Sequence, residues 1–206
     1  MIHSPFTRKV SANTVYYSPL NMTPLPKITK DWTLFLDRDG VINEEVVGDY
    51  IRNWEEFHFR PGSLEAIALL YSFFQRTIIV TNQAGVGKGL MTLGELNKIN
   101  EQMLGEIHAA GGRIDKVYCC TAIDNKDINR KPNPGMALQA KAEFPEIDLS
   151  KSIMVGNMPN DMKFGRNFGA YTVYLPTRAE ETPDPLSVDA QYKDLLSFAK
   201  DLSSNA

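Results

Sequence analysis

The sequence is poor in cysteine and contains no long apolar run, and both absences narrow the class of protein. Its two cysteines, Cys119 and Cys120, are adjacent and follow a strand-like run. Adjacent cysteines are a poor basis for a structural disulfide, so a reducing compartment such as the cytoplasm is expected. No apolar stretch approaches the ~20 residues of a membrane span, and the N-terminus lacks the apolar core of a signal peptide. We therefore expect a cytoplasmic protein without a membrane partner.

An excess of positive charge is also missing. The chain has 22 Lys and Arg residues against 25 Asp and Glu residues, which gives a net charge of −3. Proteins that bind nucleic acid through its phosphates present a basic surface. The composition therefore argues against nucleic acid as the main partner. A small phosphorylated molecule needs only a local positive site and is the expected partner.

The domain organisation follows from where regular patterns are absent. Residues 1–30 contain prolines among polar residues without a sustained period, which predicts an extended N-terminal arm. Residues 31–206 are uniform in composition and predict a single domain that buries roughly 70 % of its surface on folding. No internal repeat interrupts it, and we expect a monomer.

Short apolar runs alternate with helical patterns along residues 31–206. This alternation predicts an α/β fold, a three-layer Rossmann-like parallel sheet of about five strands with helices on both faces. The fifth strand is expected at residues 170–175 and a closing helix at 190–202. Residues 44–60 are predicted to form a flap or ordered loop over the site, and no insertion is long enough for a large cap domain.

The first strand end carries two carboxylates one residue apart. The run LFLDRDGVIN at residues 34–43 predicts a buried strand that ends in Asp37 and Asp39. Because alternate residues share a direction, both carboxylates can face one site while Arg38 points away. Two close carboxylates repel unless a cation or a proton lies between them. The alternative is a strand followed by a simple Asp-Gly turn.

Further strand ends decide between these alternatives. They contribute Thr81 and Asn82, Arg130 and Lys131, and Asn157 with Asp161. Ligands of open α/β sheets bind at the carboxyl ends of the strands. Carboxylates, a hydroxyl group, a loop amide and a lysine at one such edge suit magnesium-assisted phosphoryl transfer.

The segments DRDGVIN, TNQAG, RKPNPGM and VGNMPNDM together resemble the haloacid dehalogenase superfamily. Within it they are similar to the branch that holds heptose bisphosphate phosphatases and histidinol-phosphate phosphatases. The resemblance covers residues 34–175. It implies a Mg²⁺-dependent phosphoric monoester hydrolase that acts on a small phosphate ester.

The resemblance also implies roles for individual residues. Asp37 would attack phosphorus and form an aspartyl-phosphate, and Asp39 would serve as general acid and base. Thr81 and Lys131 would complete the catalytic set. The implied substrate-binding residues are Asn43, Tyr50, Asn82, Gln83 and Arg130. The implied Mg²⁺ ligands are the Asp37 carboxylate, the Asp39 backbone carbonyl, Asn157 and Asp161.

Two departures from the family change these expectations. Many relatives hold a structural zinc just before the RKP motif, but here only Cys120 matches a ligand, whereas Ala122, Asp127 and Asn129 replace the others. One ligand cannot hold a closed zinc site, so no structural zinc is expected and the loop at 122–129 is predicted to be less ordered than the strands. Asn157 stands where the family usually has a metal-binding Asp. Weaker Mg²⁺ binding is expected, which Asn157→Asp should correct.

The sequence therefore predicts a Mg²⁺-dependent phosphatase of a heptose or another sugar phosphate or bisphosphate. Histidinol phosphate is the alternative substrate. A DNA 3′-phosphatase is disfavoured by the net acidity. A binding protein without turnover, suggested by Asn157, is disfavoured because Asp37, Asp39, Thr81 and Lys131 are all present.

Overall fold

The computed structural model describes residues 6–11, 14–19 and 23–205. The strands are β1 (Phe6–Ser11), β2 (Thr14–Pro19), β3 (Thr33–Leu36), β4 (Arg76–Asn82), β5 (Lys116–Cys120), β6 (Ser152–Gly156), β7 (Tyr171–Tyr174) and β8 (Ala190–Gln191). The helices are α1 (Ser63–Leu70), α2 (Ala84–Gly87), α3 (Leu93–Ala109), α4 (Gly135–Glu143), α5 (Pro159–Phe168) and α6 (Leu195–Ser204). None of the helices in these ranges is long and apolar enough to cross a membrane.

Six of the strands form one parallel sheet in the order β5-β4-β3-β6-β7-β8. The predicted parallel α/β sheet is confirmed, with six strands in place of about five. The additional strand is β8, which pairs with β7 at residues predicted to begin the closing helix. That helix begins only at Leu195, because the Asp194 side chain accepts a hydrogen bond from Ser197 N at 2.8 Å and so caps it.

Helices cover both faces of this sheet, and the central strand shows how the sequence builds two cores. Leu34 and Leu36 of β3 lie in the core beneath α1, α3 and α6, whereas Phe35 points into the core beneath α4 and α5. All three side chains are fully buried. A strand buried on both faces has a continuous apolar sequence, and the apolar run at residues 34–36 predicts such a strand. The predicted three-layer architecture is therefore confirmed.

The N-terminal segment contains the two strands outside the main sheet. β1 and β2 pair with each other in an antiparallel register, with Val10 opposite Val15. The extended arm predicted for residues 1–30 falls in part on residues 1–5, 12–13 and 20–22, which lie outside the described residues. At the start of the range 23–205, Thr23 N donates a hydrogen bond to the Asp189 carbonyl at 3.0 Å.

The loop between β3 and α1 lies over the carboxyl edge of the sheet, where a flap was predicted. A short 3₁₀ turn at Trp54–Glu56 is its regular element. The Trp54 and Phe57 rings stack at 5.0 Å, and Phe59 packs edge-on against Phe57 at 5.1 Å. These contacts order the loop internally. The loop is attached to the domain because Phe57 is buried in the core beneath α1, α3 and α6, against which Trp54 and Phe59 also pack.

Candidate active site

Two buried carboxylates at the carboxyl edge of the sheet share one lysine. Asp37 directly follows β3, and its amide continues the sheet by donating to the Val155 carbonyl at 2.9 Å. Lys131 Nζ lies 2.6 Å from Asp37 Oδ1 and 2.7 Å from Asp161 Oδ1. All three side chains are buried. One cation between two carboxylates leaves this cluster with an excess negative charge.

The excess negative charge changes the pKa of Asp37. Burial and the neighbouring Asp161 carboxylate raise the pKa of Asp37 to about 7, against the opposing effect of Lys131. Burial alone would lower the pKa of Lys131, but the two carboxylates outweigh it and the pKa is raised. The lysine therefore stays charged, and a further cation beside Asp37 would stabilise its ionised form.

Asp39 is held in a different electrostatic environment. Its carboxylate accepts hydrogen bonds from Arg38 Nη2 at 3.2 Å, Asn43 Nδ2 at 2.9 Å and Gln83 Nε2 at 2.7 Å. Burial raises the pKa of Asp39, but Arg38 and these hydrogen bonds outweigh burial, so the pKa is lowered. Arg38 does not simply point away as predicted: it is fully buried and turns back onto its neighbour. The Asp39 carboxylate is thus kept ionised.

The hydroxyl group after β4 is joined to Asp39 through one amide. Gln83 Nε2 donates to Thr81 Oγ1 at 2.9 Å as well as to Asp39. Thr81 is buried, with 1 % of its surface exposed. The structure therefore brings the predicted catalytic residues Asp37, Asp39, Thr81 and Lys131 to one edge of the sheet.

Two amides predicted to contact substrate are engaged within the protein. Asn82 Oδ1 accepts from Lys131 N at 3.0 Å, and its Nδ2 donates to the Lys131 carbonyl at 3.1 Å. This pair of bonds fixes the backbone of the lysine. Asn43 is fully buried and uses its Nδ2 on Asp39 and on the Glu44 carbonyl. Both amides thus hold residues predicted to be catalytic. Asn43 uses both hydrogens of its Nδ2 within the protein, whereas Asn82 Nδ2 makes one such bond and keeps its second hydrogen at the cleft.

Arg130 is likewise engaged elsewhere than the sequence predicts. Its Nε donates to Asn125 Oδ1 at 3.0 Å and its Nη1 to the Ala122 carbonyl at 3.0 Å. In the same loop Asp127 Oδ1 accepts from Asn129 N at 2.8 Å. These hydrogen bonds close the loop at residues 122–129, which contains Ala122, Asp127 and Asn129 in place of the zinc ligands expected from the family resemblance.

We expect Arg130→Ala to loosen this loop, because the guanidinium supplies two of the bonds that close it. Amide hydrogen exchange of residues 122–129 should become at least tenfold faster, while exchange in β4 and β5 stays unchanged. Arg113→Ala is the matched control, since it removes an exposed arginine whose partner is Asp115. Unchanged exchange in the loop would show that Arg130 does not hold it.

Three oxygen donors in the loops after β3 and β6 suit a magnesium ion by their chemistry. Asn157 Oδ1 is buried and has no hydrogen-bond partner within the described part of the chain. The Asp39 carbonyl accepts none of the backbone hydrogen bonds that close the turn at residues 38–43. Together with the Asp37 carboxylate these atoms form an all-oxygen set with a single carboxylate. Mg²⁺ is commonly held by one or two carboxylates and several waters.

Asp161, also predicted as a metal ligand, has both carboxylate oxygens occupied. Oδ2 accepts from the backbone amides of Asn157 at 3.1 Å and Met158 at 2.9 Å, while Oδ1 binds Lys131. In the structure, Asp161 caps the start of α5 and forms an ion pair with Lys131. Among the described residues, no group of three or more His, Cys, Asp or Glu side chains could hold a metal ion. The fit to magnesium therefore depends on the Asp37 carboxylate, the Asp39 carbonyl and Asn157 Oδ1.

A polar cleft of about 130 Å³ opens beside Asp39. Its lining comprises Asp39, Glu45, Val46, Asp49, Tyr50, Ile51, Asn82, Gln83 and Arg178. Tyr50, predicted to bind substrate, lies in this cleft, with Lys88 Nζ 5.3 Å above its ring.

Sequence reasoning missed Arg178, which forms ion pairs with Glu45 at 2.6 Å and Glu181 at 2.9 Å. Its position just beyond β7, at a further strand end, is the signal that could have identified it.

Comparisons with known proteins identify relatives of this chain. The profile of the family described as polynucleotide kinase 3 phosphatase matches residues 27–196. D-glycero-alpha-D-manno-heptose-1,7-bisphosphate 7-phosphatase of Mycobacterium tuberculosis is 38% identical over 140 residues, which are 68% of this chain and 74% of the relative. The enzyme of the same name from Campylobacter jejuni is 33% identical over 172 residues, which are 84% and 98%.

A solved structure is also similar. D,D-heptose 1,7-bisphosphate phosphatase from B. bronchiseptica, complexed with magnesium and phosphate, has a TM-score of 0.77 and 27% identity. The similarity covers 85% of this chain and 99% of that one.

Proposed function

The chain belongs to the polynucleotide kinase 3 phosphatase family of the haloacid dehalogenase superfamily, and we propose that it removes one phosphate from a sugar bisphosphate. The superfamily and the class of enzyme, a phosphatase, are as the sequence predicts. The observation that carries the proposal is the buried cluster of Asp37, Lys131 and Asp161 at the edge of the sheet. It combines a nucleophile with a fixed positive charge for the phosphoryl oxygens.

We propose that the Asp37 carboxylate attacks phosphorus, so that a bond from phosphorus to Asp37 forms while the bond to the ester oxygen breaks. The ester oxygen leaves as an alkoxide that takes its proton from a water molecule, because Asp39, predicted also as the general acid, is held ionised and has no proton to give. Lys131 Nζ, fixed beside the nucleophile, neutralises charge on the transferring group. The resulting aspartyl-phosphate is then hydrolysed by water. Asp39, held ionised by Arg38, is suited to take the proton of that water.

Magnesium fits the Asp37 carboxylate, the Asp39 carbonyl and Asn157 Oδ1, and when bound it would neutralise and orient the phosphoryl group. The relative from B. bronchiseptica crystallised with magnesium and phosphate supports this choice of cation. Thr81 is proposed to take part in catalysis beside Asp39, to which Gln83 joins it.

The proposed substrate class rests on the names of the relatives and on the cleft. Both curated relatives are named for a heptose 1,7-bisphosphate and its 7-phosphate. The Asn82 and Gln83 end of the cleft offers polar groups to a sugar, and Arg178 is a cation at its wall. Three carboxylates, those of Asp39, Glu45 and Asp49, also line it. A DNA end carries a run of phosphates that requires an extended basic surface, and a wall with one cation among three carboxylates is not such a surface.

We also propose a cytoplasmic location, since Cys119 and Cys120 are adjacent free thiols that a reducing compartment would preserve. Fractionation of cells that produce the protein would test this location, and recovery of the protein outside the cytoplasm would contradict it.

The test is a panel of phosphate esters with the purified protein. We expect a heptose 1,7-bisphosphate to give the highest kcat/KM, exceeding an aryl phosphate at least hundredfold. Chelation of divalent metal should abolish hydrolysis of both, and Mg²⁺ should restore it. The other members are the corresponding heptose monophosphate, histidinol phosphate and an oligonucleotide with a 3′-phosphate. Preference for histidinol phosphate or the oligonucleotide would reject the sugar bisphosphate, and metal-independent turnover would reject the mechanism.

A further inference from the structure

One carboxylate of the flap reaches the residue that fits the magnesium site. Glu45 Oε1 accepts from Asn157 Nδ2 at 3.2 Å and from Thr177 Oγ1 at 2.8 Å. The Thr177 hydroxyl in turn accepts from Asn157 Nδ2 at 2.8 Å. Glu45 Oε2 is held by Arg178 Nη2 at 2.6 Å. The flap and the segment after β7 thus meet at the amide of Asn157.

These contacts determine which way the amide points. A carboxylate only accepts hydrogen bonds, so the atom facing Glu45 must be the nitrogen of Asn157. Both hydrogens of that nitrogen have partners, whereas Oδ1 is buried without one within the described part of the chain. Gly40 closes the remaining side, since a Cβ there would lie 2.1 Å from Nδ2. The amide is locked, and its oxygen is the atom left for a ligand.

We infer that Glu45 is a positioning residue for the cation: it fixes the amide of Asn157 so that Oδ1 serves as a neutral magnesium ligand. The inference rests on the metal site of the proposed function and adds a role for the flap. A buried acceptor without a partner costs free energy, which a bound cation would recover. The metal site is therefore complete only when the flap is folded against Asn157.

The same contacts explain why residue 157 is an asparagine. An aspartate there would put a carboxylate oxygen about 3 Å from Glu45 Oε1, at the place now taken by Nδ2. Two ionised carboxylates at that distance repel. From the sequence alone Asn157→Asp should improve magnesium binding. With Glu45 in place, we expect it instead to destabilise the protein, and we expect a neutral residue 45 to relieve this destabilisation.

The reciprocal exchange tests this inference. Magnesium binding is measured by calorimetry with the metal alone, and unfolding by heat, for the wild type, Glu45→Gln, Asn157→Asp and the double variant. Glu45→Gln should weaken magnesium binding about tenfold, because a glutamine side chain at this position also satisfies Asn157 in the flipped orientation. Asn157→Asp should lower the melting temperature. The double variant should recover both properties to within about threefold in affinity and about 2 °C of wild type, since the introduced glutamine then donates to the new carboxylate.

Glu181→Gln is the matched control. Glu181 pairs with Arg178, as Glu45 does, but the hydrogen bonds to the Asn157 amide come from Glu45 and Thr177. The control substitution should leave magnesium affinity within twofold of wild type. A wild-type protein that binds no magnesium would reject the metal site and with it this inference. Magnesium binding by the wild type, with an unchanged affinity in Glu45→Gln, would reject the positioning role alone. The positioning role would also be rejected if the magnesium affinity of the double variant fell by as much as the losses of the two single variants combined.

Discussion

Asp37→Asn is expected to lower kcat by about 10⁴-fold or more, the loss typical of removing a covalent nucleophile. An amide oxygen is a poor nucleophile, and no other carboxylate of the described cluster can take its place. Asp39 is turned toward Arg38, Asn43 and Gln83, and Asp161 has both oxygens occupied. Residual activity within tenfold of wild type would contradict covalent catalysis through Asp37.

The same substitution should stabilise the metal-free protein. At pH 8, above the raised pKa of about 7, Asp37 is ionised beside Asp161, and only Lys131 compensates the two charges. Asparagine removes the excess charge and leaves Lys131 paired with Asp161. We expect a gain of about 1–3 kcal/mol in the free energy of unfolding, or roughly 2–12 °C in Tm for a chain of this size.

Magnesium should reverse this order of stability. The wild type gains stability from any ligand that binds only its folded state, whereas the variant has lost the ionised ligand. Thermal unfolding of both proteins with chelator and with an excess of Mg²⁺ would measure the effect. Mass spectrometry of the variant is the necessary control, because deamidation of the introduced asparagine would restore wild-type enzyme. A variant less stable than wild type in chelator would show that Asp37 carries no excess charge.

Most of the fold could be predicted from the sequence, because the central strands β3 and β6 are fully buried and helices such as α5 and α6 are amphipathic. The run Leu34–Leu36 is apolar at every position and ends at a carboxylate, which marks both the strand and its carboxyl end. β8 could not be found in this way. Its two residues have no pattern of their own and become a strand only because β7 offers an edge.

The site was predictable in its residue types but not in its pairings. The position after each strand end places Asp37, Lys131 and Asp161 at one edge. Spacing does not show that Asn82 bonds the backbone of a residue 49 positions away, or that Arg130 closes its own loop. Both side chains look free in the sequence, because the backbone atoms that bind them carry no sequence signal.

Lys131→Met is expected to be among the most destabilising single substitutions in this protein. Lys131 Nζ is the common partner of the Asp37 and Asp161 carboxylates, and its side chain is 3 % exposed. Methionine has a similar volume but leaves two buried carboxylates without a cation. Breaking a buried ion pair by removing one partner typically costs about 3–5 kcal/mol. The expected fall in Tm is roughly 6–20 °C.

Lys151→Met is the matched control, since Lys151 forms an equally short ion pair with Asp31 at 2.6 Å but is exposed. It should lower Tm far less than Lys131→Met does, because exposed ion pairs contribute little to stability. Adding Asp37→Asn to Lys131→Met should recover part of the lost stability, because one of the two unpaired charges disappears. Magnesium should also stabilise Lys131→Met more than the wild type, since a cation beside Asp37 compensates the missing ammonium group. Equal losses in Lys131→Met and Lys151→Met would show that the buried cluster is not held by its lysine.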